Sequence, residues 1–377
     1  MNVTEVLPDS AGLRASRRAR VLAAMEAAEI DILVIGSEAN ARYVAGVPRL
    51  WLAGSKPFGP GCIFVRATQE IHLVSTWDEG VPDDIPKENL HGITFNSANT
   101  MKMLKGVSGA ATAKLVATDG FMPGTAKQLG AAFPEAELVD GQELMLRVRS
   151  IKLPDEVEAI RTSIRIAEQA LSVAEAALTV GVTERHVTAV FMEAMASLGI
   201  TTPTTQDVAC ISSRSAAWAR STRDTAVGEQ DLVIFDAGVI AAGYVGELVR
   251  TRCIAGISSV APKLVERWDE LWDRLIEACR PGATGKDFFD AYAMSGVELP
   301  PVPIVRGLGL GSDLPLVSSA LPRTSEQQRV QPGQVLTLTA YVWEHGVGAV
   351  CAQEPVLMTE SGPELLSAAP FRDSRSR

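Results

Sequence analysis

Two carboxylates stand where the sequence otherwise asks for apolar side chains. In the stretch 231–252, DLVIFDAGVIAAGYVGELVRTR, the apolar run Leu232 to Phe235 ends in Asp236, and Glu247 follows eleven positions later. The β-branched residues and the glycines Gly238 and Gly243 predict two paired strands. Such a hairpin brings both acids to one face. An unpaired buried charge is expensive, so two acids side by side call for a metal, a cation or a shared proton. The plainer alternative is a turn aspartate and a solvated glutamate, which need no partner.

The pattern D-x-G, then G-Y-x-x-E, then R-T resembles the first metal-binding hairpin of the creatinase, prolidase, aminopeptidase P and methionine aminopeptidase family. That resemblance implies the pita-bread fold, in which two carboxylates at this spacing help bind a pair of divalent metals. The second acid of the family pattern is an aspartate, so Glu247 departs from it. The remaining ligand positions depart further. The family's histidine in an HGxG loop corresponds to Arg306 in VRGLGLGSDLP, its next glutamate to Thr339, with Ala340 at the adjoining proline, and its last glutamate to Gln353, beside Glu354. A shift of one residue would offer Glu354 as a ligand. The family's other histidines fall on Ala219 or Arg220 and on Ser312 or Asp313, and His72, His91, His186 and His345 avoid all these places. The glycines of the Arg306 segment are spaced two apart with no following helix, which makes a poor dinucleotide fingerprint.

Two acids and an arginine are a poor donor set for hard divalent ions, which need oxygen or nitrogen ligands throughout. The expectation is therefore of no metal and no cofactor, with Arg306 placing its guanidinium against Asp236 or Glu247. Asp236, Glu247, Arg306 and Asp313 are the candidate catalytic groups. The resemblance implies that Arg220, Arg223, Tyr244, Arg250, Thr339, Gln353 and Glu354 line the same cavity. In creatinase-like dimers the N-terminal domain of one subunit reaches the other's pocket, which here points to Pro48–Trp51 and so to Arg49 and Trp51. So many arginines suit a small anionic or zwitterionic metabolite, or else an internal salt-bridge network filling the space left by the metals.

The elements that must position these residues fall into two domains, as expected for 377 residues. Residues 1–15 read as a loose arm. From 16 to 148, RRARVLAAMEAAEI predicts an amphipathic helix, and DILVIG, GCIFV, EIHLV and KLVATDG predict strands, an α/β pattern. Asn40, Arg42, Tyr43 and Gly46 resemble a landmark of the creatinase/prolidase N-terminal domain. The second domain, 149–366, is expected to be the α+β pita-bread unit. It opens with a long helix started by Pro154 and Asp155, continues with a helix from GVTERHV, and carries Trp268 and Trp272 on a later helix. Residues 367–377 read as a flexible tail.

Composition excludes several classes. The net charge is −10 with no long basic block, which argues against nucleic acid. No run is long enough to span a bilayer, and the first twenty residues lack the core of a secretory signal. Five scattered cysteines without CxxC spacing suit a reducing compartment, so the expectation is a cytoplasmic protein, and by resemblance a homodimer. The sequence thus predicts a metal-independent, creatinase-like enzyme acting on a C–N or related bond of a small carboxylate-bearing metabolite. The alternatives are a non-catalytic pita-bread protein, serving in binding or as a partner subunit, and an Xaa-Pro peptidase-like hydrolase with a reduced metal site built from Asp236, Glu247 and Glu354.

Overall fold

The computed structural model describes residues 10–46, 61–74, 80–92, 96–120, 123–217 and 221–369. The chain divides after Arg149 into two units. The N-terminal unit is a six-stranded sheet in the order β4-β3-β2-β1-β5-β6. Its strands are β1 (Ile32–Ile35), β2 (Cys62–Val65), β3 (Ile71–Val74), β4 (Leu90–His91), β5 (Leu115–Thr118) and β6 (Glu137–Asp140). The first helix spans Ala11–Ala27 with Ser10 as its N-cap, so residues 11–15 are helical and not part of a loose arm.

The C-terminal unit holds an eight-stranded sheet, and all of its strand pairs run antiparallel. Its strands are β7 (Ala209–Ile211), β8 (Val233–Ala241), β9 (Tyr244–Arg252), β10 (Val305–Leu308), β11 (Ser312–Val317), β12 (Val335–Glu344), β13 (Gly348–Thr359) and β14 (Gly362–Leu365). The order is β11-β10-β12-β13-β9-β8-β7, with β14 on β13. The predicted hairpin is β8–β9, closed by Ala242 and Gly243, both at positive φ. The segment expected as a loop around Arg306 is instead a second hairpin, β10–β11.

Strand alternation decides which side chains meet helices and which meet the opposite side. Val233, Phe235, Ala237, Val239 and Leu248 pack with the helices Pro154–Ala176 and Glu184–Ser197. Leu336, Leu338, Ala340, Val350 and Ala352 pack with the helix Pro262–Ala278 and its stacked Trp268 and Trp272. At Gly246 the long helix approaches so closely that a Cβ would stand 2.2 Å from the Ser163 carbonyl carbon. One face of the sheet is thereby committed to the core. The other carries Asp236, Glu247, Thr339 and Gln353. Among the described residues no helix is long and apolar enough to cross a membrane.

Candidate functional site

Register places the candidate residues in a row across the sheet. Val249 of β9 pairs with Asp236 on one side and Gln353 on the other, and Gln353 pairs with Thr339. Directly paired residues of antiparallel strands share a face, and so do Glu247 and Thr337, two positions along their strands. Arg306 pairs with Thr337 and enters the row from β10. Below this polar row lies an apolar patch of Ile234, Val249, Tyr341, Ala349 and Cys351.

Glu247 is the hub. One of its oxygens, Oε1, accepts a hydrogen bond from Arg306 Nη2 and another, of 2.6 Å, from Gln353 Nε2. Arg306 Nη1 donates to Ser312 Oγ at 3.1 Å, and Thr339 Oγ1 donates to Gln353 Oε1 at 3.4 Å. The Glu247 side chain is 8% exposed and that of Arg306 21%. Burial lowers the pKa of Arg306 from its ordinary value, while the negative charges of Asp236 and Asp313 oppose the shift. The guanidinium keeps its charge regardless. Asp313 is itself nearly sealed from solvent and meets Lys152, whose Nζ lies 2.5 Å from its Oδ2.

Several expected site residues stand elsewhere. Arg250 and Glu354 belong to the helix-covered face, where they form a buried ion pair of 2.7 Å. Arg250 also donates to Ser367 Oγ and to the Ala369 carbonyl, and Ser367 donates to Glu354. Burial pushes the Glu354 carboxyl above the usual range, against the pull of Arg250. Residues 367–369 are therefore held in place, contrary to the expected flexible tail. The one-residue shift that would bring Glu354 to Glu247 is also excluded, because successive strand residues point to opposite faces. Tyr244 donates to Glu156 Oε1 at 3.0 Å, and Glu156 in turn caps the long helix at Leu153. Its role is to pin that helix, not to line a cavity. Arg223 is exposed and donates to Ser221 Oγ. Arg49, Trp51 and Arg220 lie outside the described residues.

A pair of divalent ions does not fit these donors. Where the family pattern asks for a histidine and two glutamates, the structure puts Arg306, Thr339 and Gln353. Two of these three direct N–H groups at the carboxylate oxygen that would otherwise bind metal. Among the described residues, no three His, Cys, Asp or Glu side chains form a metal-binding group. The sequence reading missed Lys152. Its one signal was position, two residues ahead of the proline that starts the long helix.

Residues 158–360 match the sequence model of metallopeptidase family M24, and residues 17–151 match that of the creatinase/prolidase N-terminal domain. An Xaa-Pro dipeptidase of Pyrococcus furiosus is 27% identical over 228 residues, covering 58% of this chain and 64%, just under two thirds, of the archaeal protein. An Xaa-Pro dipeptidase of Pyrococcus horikoshii is 22% identical over 351 residues, covering 92% of this chain and 95% of its own. The crystal structure of the prolidase from Pyrococcus horikoshii OT3 superposes with a TM-score of 0.77 at 20% identity, over 95% of this chain and 99% of that one. A recombinant prolidase from Thermococcus sibiricus gives 0.78 at 16% identity, over 95% and 98% of the two chains. At such identities the structural likeness establishes the fold.

Proposed function

This chain belongs to metallopeptidase family M24, and from that premise we propose that it hydrolyses a C–N bond in a small carboxylate-bearing substrate without a metal pair. The relatives named as Xaa-Pro dipeptidases support Xaa-Pro dipeptides and related N-substituted amino acids as the substrate class. The observation that carries the metal-free reading is the bonding of Glu247. A guanidinium and an amide replace the cations that a carboxylate in this row would otherwise hold.

In this reading Arg306 supplies fixed positive charge to an oxyanion forming over the row. Asp236, half-buried at its edge, is the general base. A water oxygen attacks the substrate carbonyl carbon, and its proton passes to Asp236. The C–N bond then breaks as that proton moves to the leaving nitrogen, giving a free acid and an amine. The apolar patch of Ile234, Val249, Tyr341 and Cys351 receives the non-polar part of the substrate. We also propose a homodimer, with the stretch Pro48–Trp51 as the candidate contribution to the neighbouring pocket.

A second reading, a binding protein or partner subunit without chemistry, is favoured by the same hub. Both donors to Glu247 come from the protein itself, so the centre is complete without a substrate. One experiment separates the two. A panel of Xaa-Pro dipeptides and N-acyl amino acids is assayed for amine release with EDTA present, beside a thermal-shift screen of the same compounds. EDTA-insensitive release supports the hydrolase. A thermal shift without turnover supports the binding protein. Release only on adding Mn²⁺ or Co²⁺ overturns both.

A further inference from the structure

The hydrogen bond from Gln353 to Glu247 crosses a seam in the sheet. Elsewhere the ladders run almost the whole length of their strands, as between β8 and β9 or between β12 and β13. Between β9 and β13, among the described residues, the register holds at one pair, Val249 with Gln353. The sequence explains both ends of this short ladder. Two positions after Gln353 stands Pro355, which has no N–H to give and whose carbonyl accepts from Leu366 N–H at 2.9 Å instead. Two positions before Gln353, a hydroxyl takes the place of the backbone of β9. The Cys351 N–H donates to Thr251 Oγ1 at 2.8 Å, and Thr251 Oγ1 donates to the Cys351 carbonyl at 2.9 Å.

Arg250 sits against that pair from the helix-covered face. Its Nη1 donates to the Val249 carbonyl at 2.9 Å and to the Gln353 carbonyl at 3.0 Å, so one nitrogen spans both strands at the polar row. Its Nη2 has a second set of acceptors: Glu354 Oε2 at 2.7 Å, Ser367 Oγ at 2.8 Å and the Ala369 carbonyl at 3.1 Å. The segment that supplies two of them is itself fixed to the long helix. Glu168 Oε1 accepts from the N–H groups of Ala368 and Ala369, each at 2.6 Å. The Arg250 side chain is fully buried, so these bonds form where no water competes for them. A planar fork with donors on both nitrogens suits two acceptor sets at once, which the single ammonium of a lysine does not.

We propose that Arg250 is a positioning residue of the centre: from the far face it holds β9 and β13 together at Val249 and Gln353, and so keeps the Gln353 amide within reach of Glu247. Glu247 belongs to one strand and Gln353 to the other. Their bond of 2.6 Å is lost once the strands part by about 1 Å, because such bonds weaken steeply beyond their normal length. Arg250 therefore acts on Glu247 through the backbone, and Ser367 and Ala369 hold Arg250 in place. The inference takes the centre from the reading proposed above, but its test does not depend on the substrate.

The test is the energetic coupling between Glu247 and Gln353, measured by urea unfolding of E247A, Q353A and the double variant in three backgrounds. In the wild-type background the two substitutions are expected to be coupled by about tenfold or more in the folding equilibrium constant, as for a hydrogen bond to a charged group. In R250M/E354Q, which removes the guanidinium without stranding its partner's charge, the coupling is expected to fall to about twofold or less. In E354Q, which breaks the ion pair but leaves Arg250 on the two carbonyls, it should stay within about twofold of the wild type. A merely structural arginine would lower the stability of every member of the cycle alike and leave the coupling unchanged. Full coupling in R250M/E354Q, no coupling in the wild type, or an equal loss in E354Q overturns the inference. Should R250M/E354Q not fold, R250K decides, since it keeps the charge beside Glu354 but not the span across both strands. Coupling reduced to about twofold in R250K supports the inference, and full coupling there overturns it. Failure of every substrate in the hydrolysis assay leaves this readout unchanged.

Discussion

Replacing Arg306 by alanine removes the cation from a carboxylate that is largely shielded from solvent. Glu247 is 8% exposed and keeps only the amide donor of Gln353, at 2.6 Å. Losing one partner of a buried ion pair typically costs about 3–5 kcal/mol, because the remaining charge stays buried. The guanidinium is 21% exposed and water can enter the space it leaves, so the lower end, about 3 kcal/mol, is expected. For a domain of this size that corresponds to a fall in melting temperature of about 6–12 °C. The penalty lies in the stranded charge, which a second substitution checks. E247Q in the R306A background should recover more than half of the loss, since a neutral amide costs far less to bury. Urea unfolding of the three proteins, with equal m-values, is the assay. A loss under about 1 kcal/mol for R306A, in the range of an exposed ion pair, would refute the reasoning. So would an R306A/E247Q protein less stable than R306A.

Three further outcomes follow from the surrounding packing. Glu354→Gln strands Arg250 on the helix-covered face and should cost about 3–5 kcal/mol in urea unfolding, while ligand-induced thermal shifts persist because the pair faces away from the row. Gly246→Ala forces a methyl group into the Ser163 backbone and should destabilise by at least about 1–3 kcal/mol, with Gly309→Ala, against Asp313 and Lys152, as a second example of the same effect. Asp287 caps the helix Gly285–Met294 by accepting from the Thr284 N–H, and that bond, together with Arg280, holds its carboxyl below the ordinary value of 3.8. A depressed folded value means that its stabilisation is present above that value and disappears as the pH falls through the lower one. Asp287→Asn should therefore cost about 1 kcal/mol at pH 7 and nothing at strongly acid pH, as read from unfolding midpoints across the pH series.

The α/β creatinase-like N-terminal unit and the α+β pita-bread C-terminal unit were legible because their signals are local. Pro154 and Asp155 are a helix-start signal in themselves, and the short apolar run Leu232 to Phe235 reads as a buried strand. Asp236 and Glu247 could be placed on one face because their hairpin is closed by two residues, leaving little freedom of register. The same logic failed at Gln353 and Glu354. A shift of one residue exchanges the faces of a strand, and only the observed pairing of Val249 with Gln353 turns Glu354 away from the row and toward Arg250. Tyr244 was misplaced for the same reason, as its side of β9 faces the long helix. Lys152 could not have been found, because its partner is more than 150 positions away and joins it only when the start of the long helix settles beside the β10–β11 hairpin. Arg306 was legible as a cation facing Asp236 and Glu247, but that it is Glu247 that takes the guanidinium is read only from the structure.

The central claim, that a guanidinium and an amide stand in for a metal pair, is tested most directly by metal stoichiometry. The purified protein is dialysed to equilibrium against Mn²⁺, Co²⁺ or Zn²⁺, and bound metal is counted by plasma mass spectrometry. The account predicts well under one equivalent of each ion and a melting temperature that EDTA does not move. Two tightly bound equivalents, with Xaa-Pro hydrolysis appearing as they bind, would contradict it.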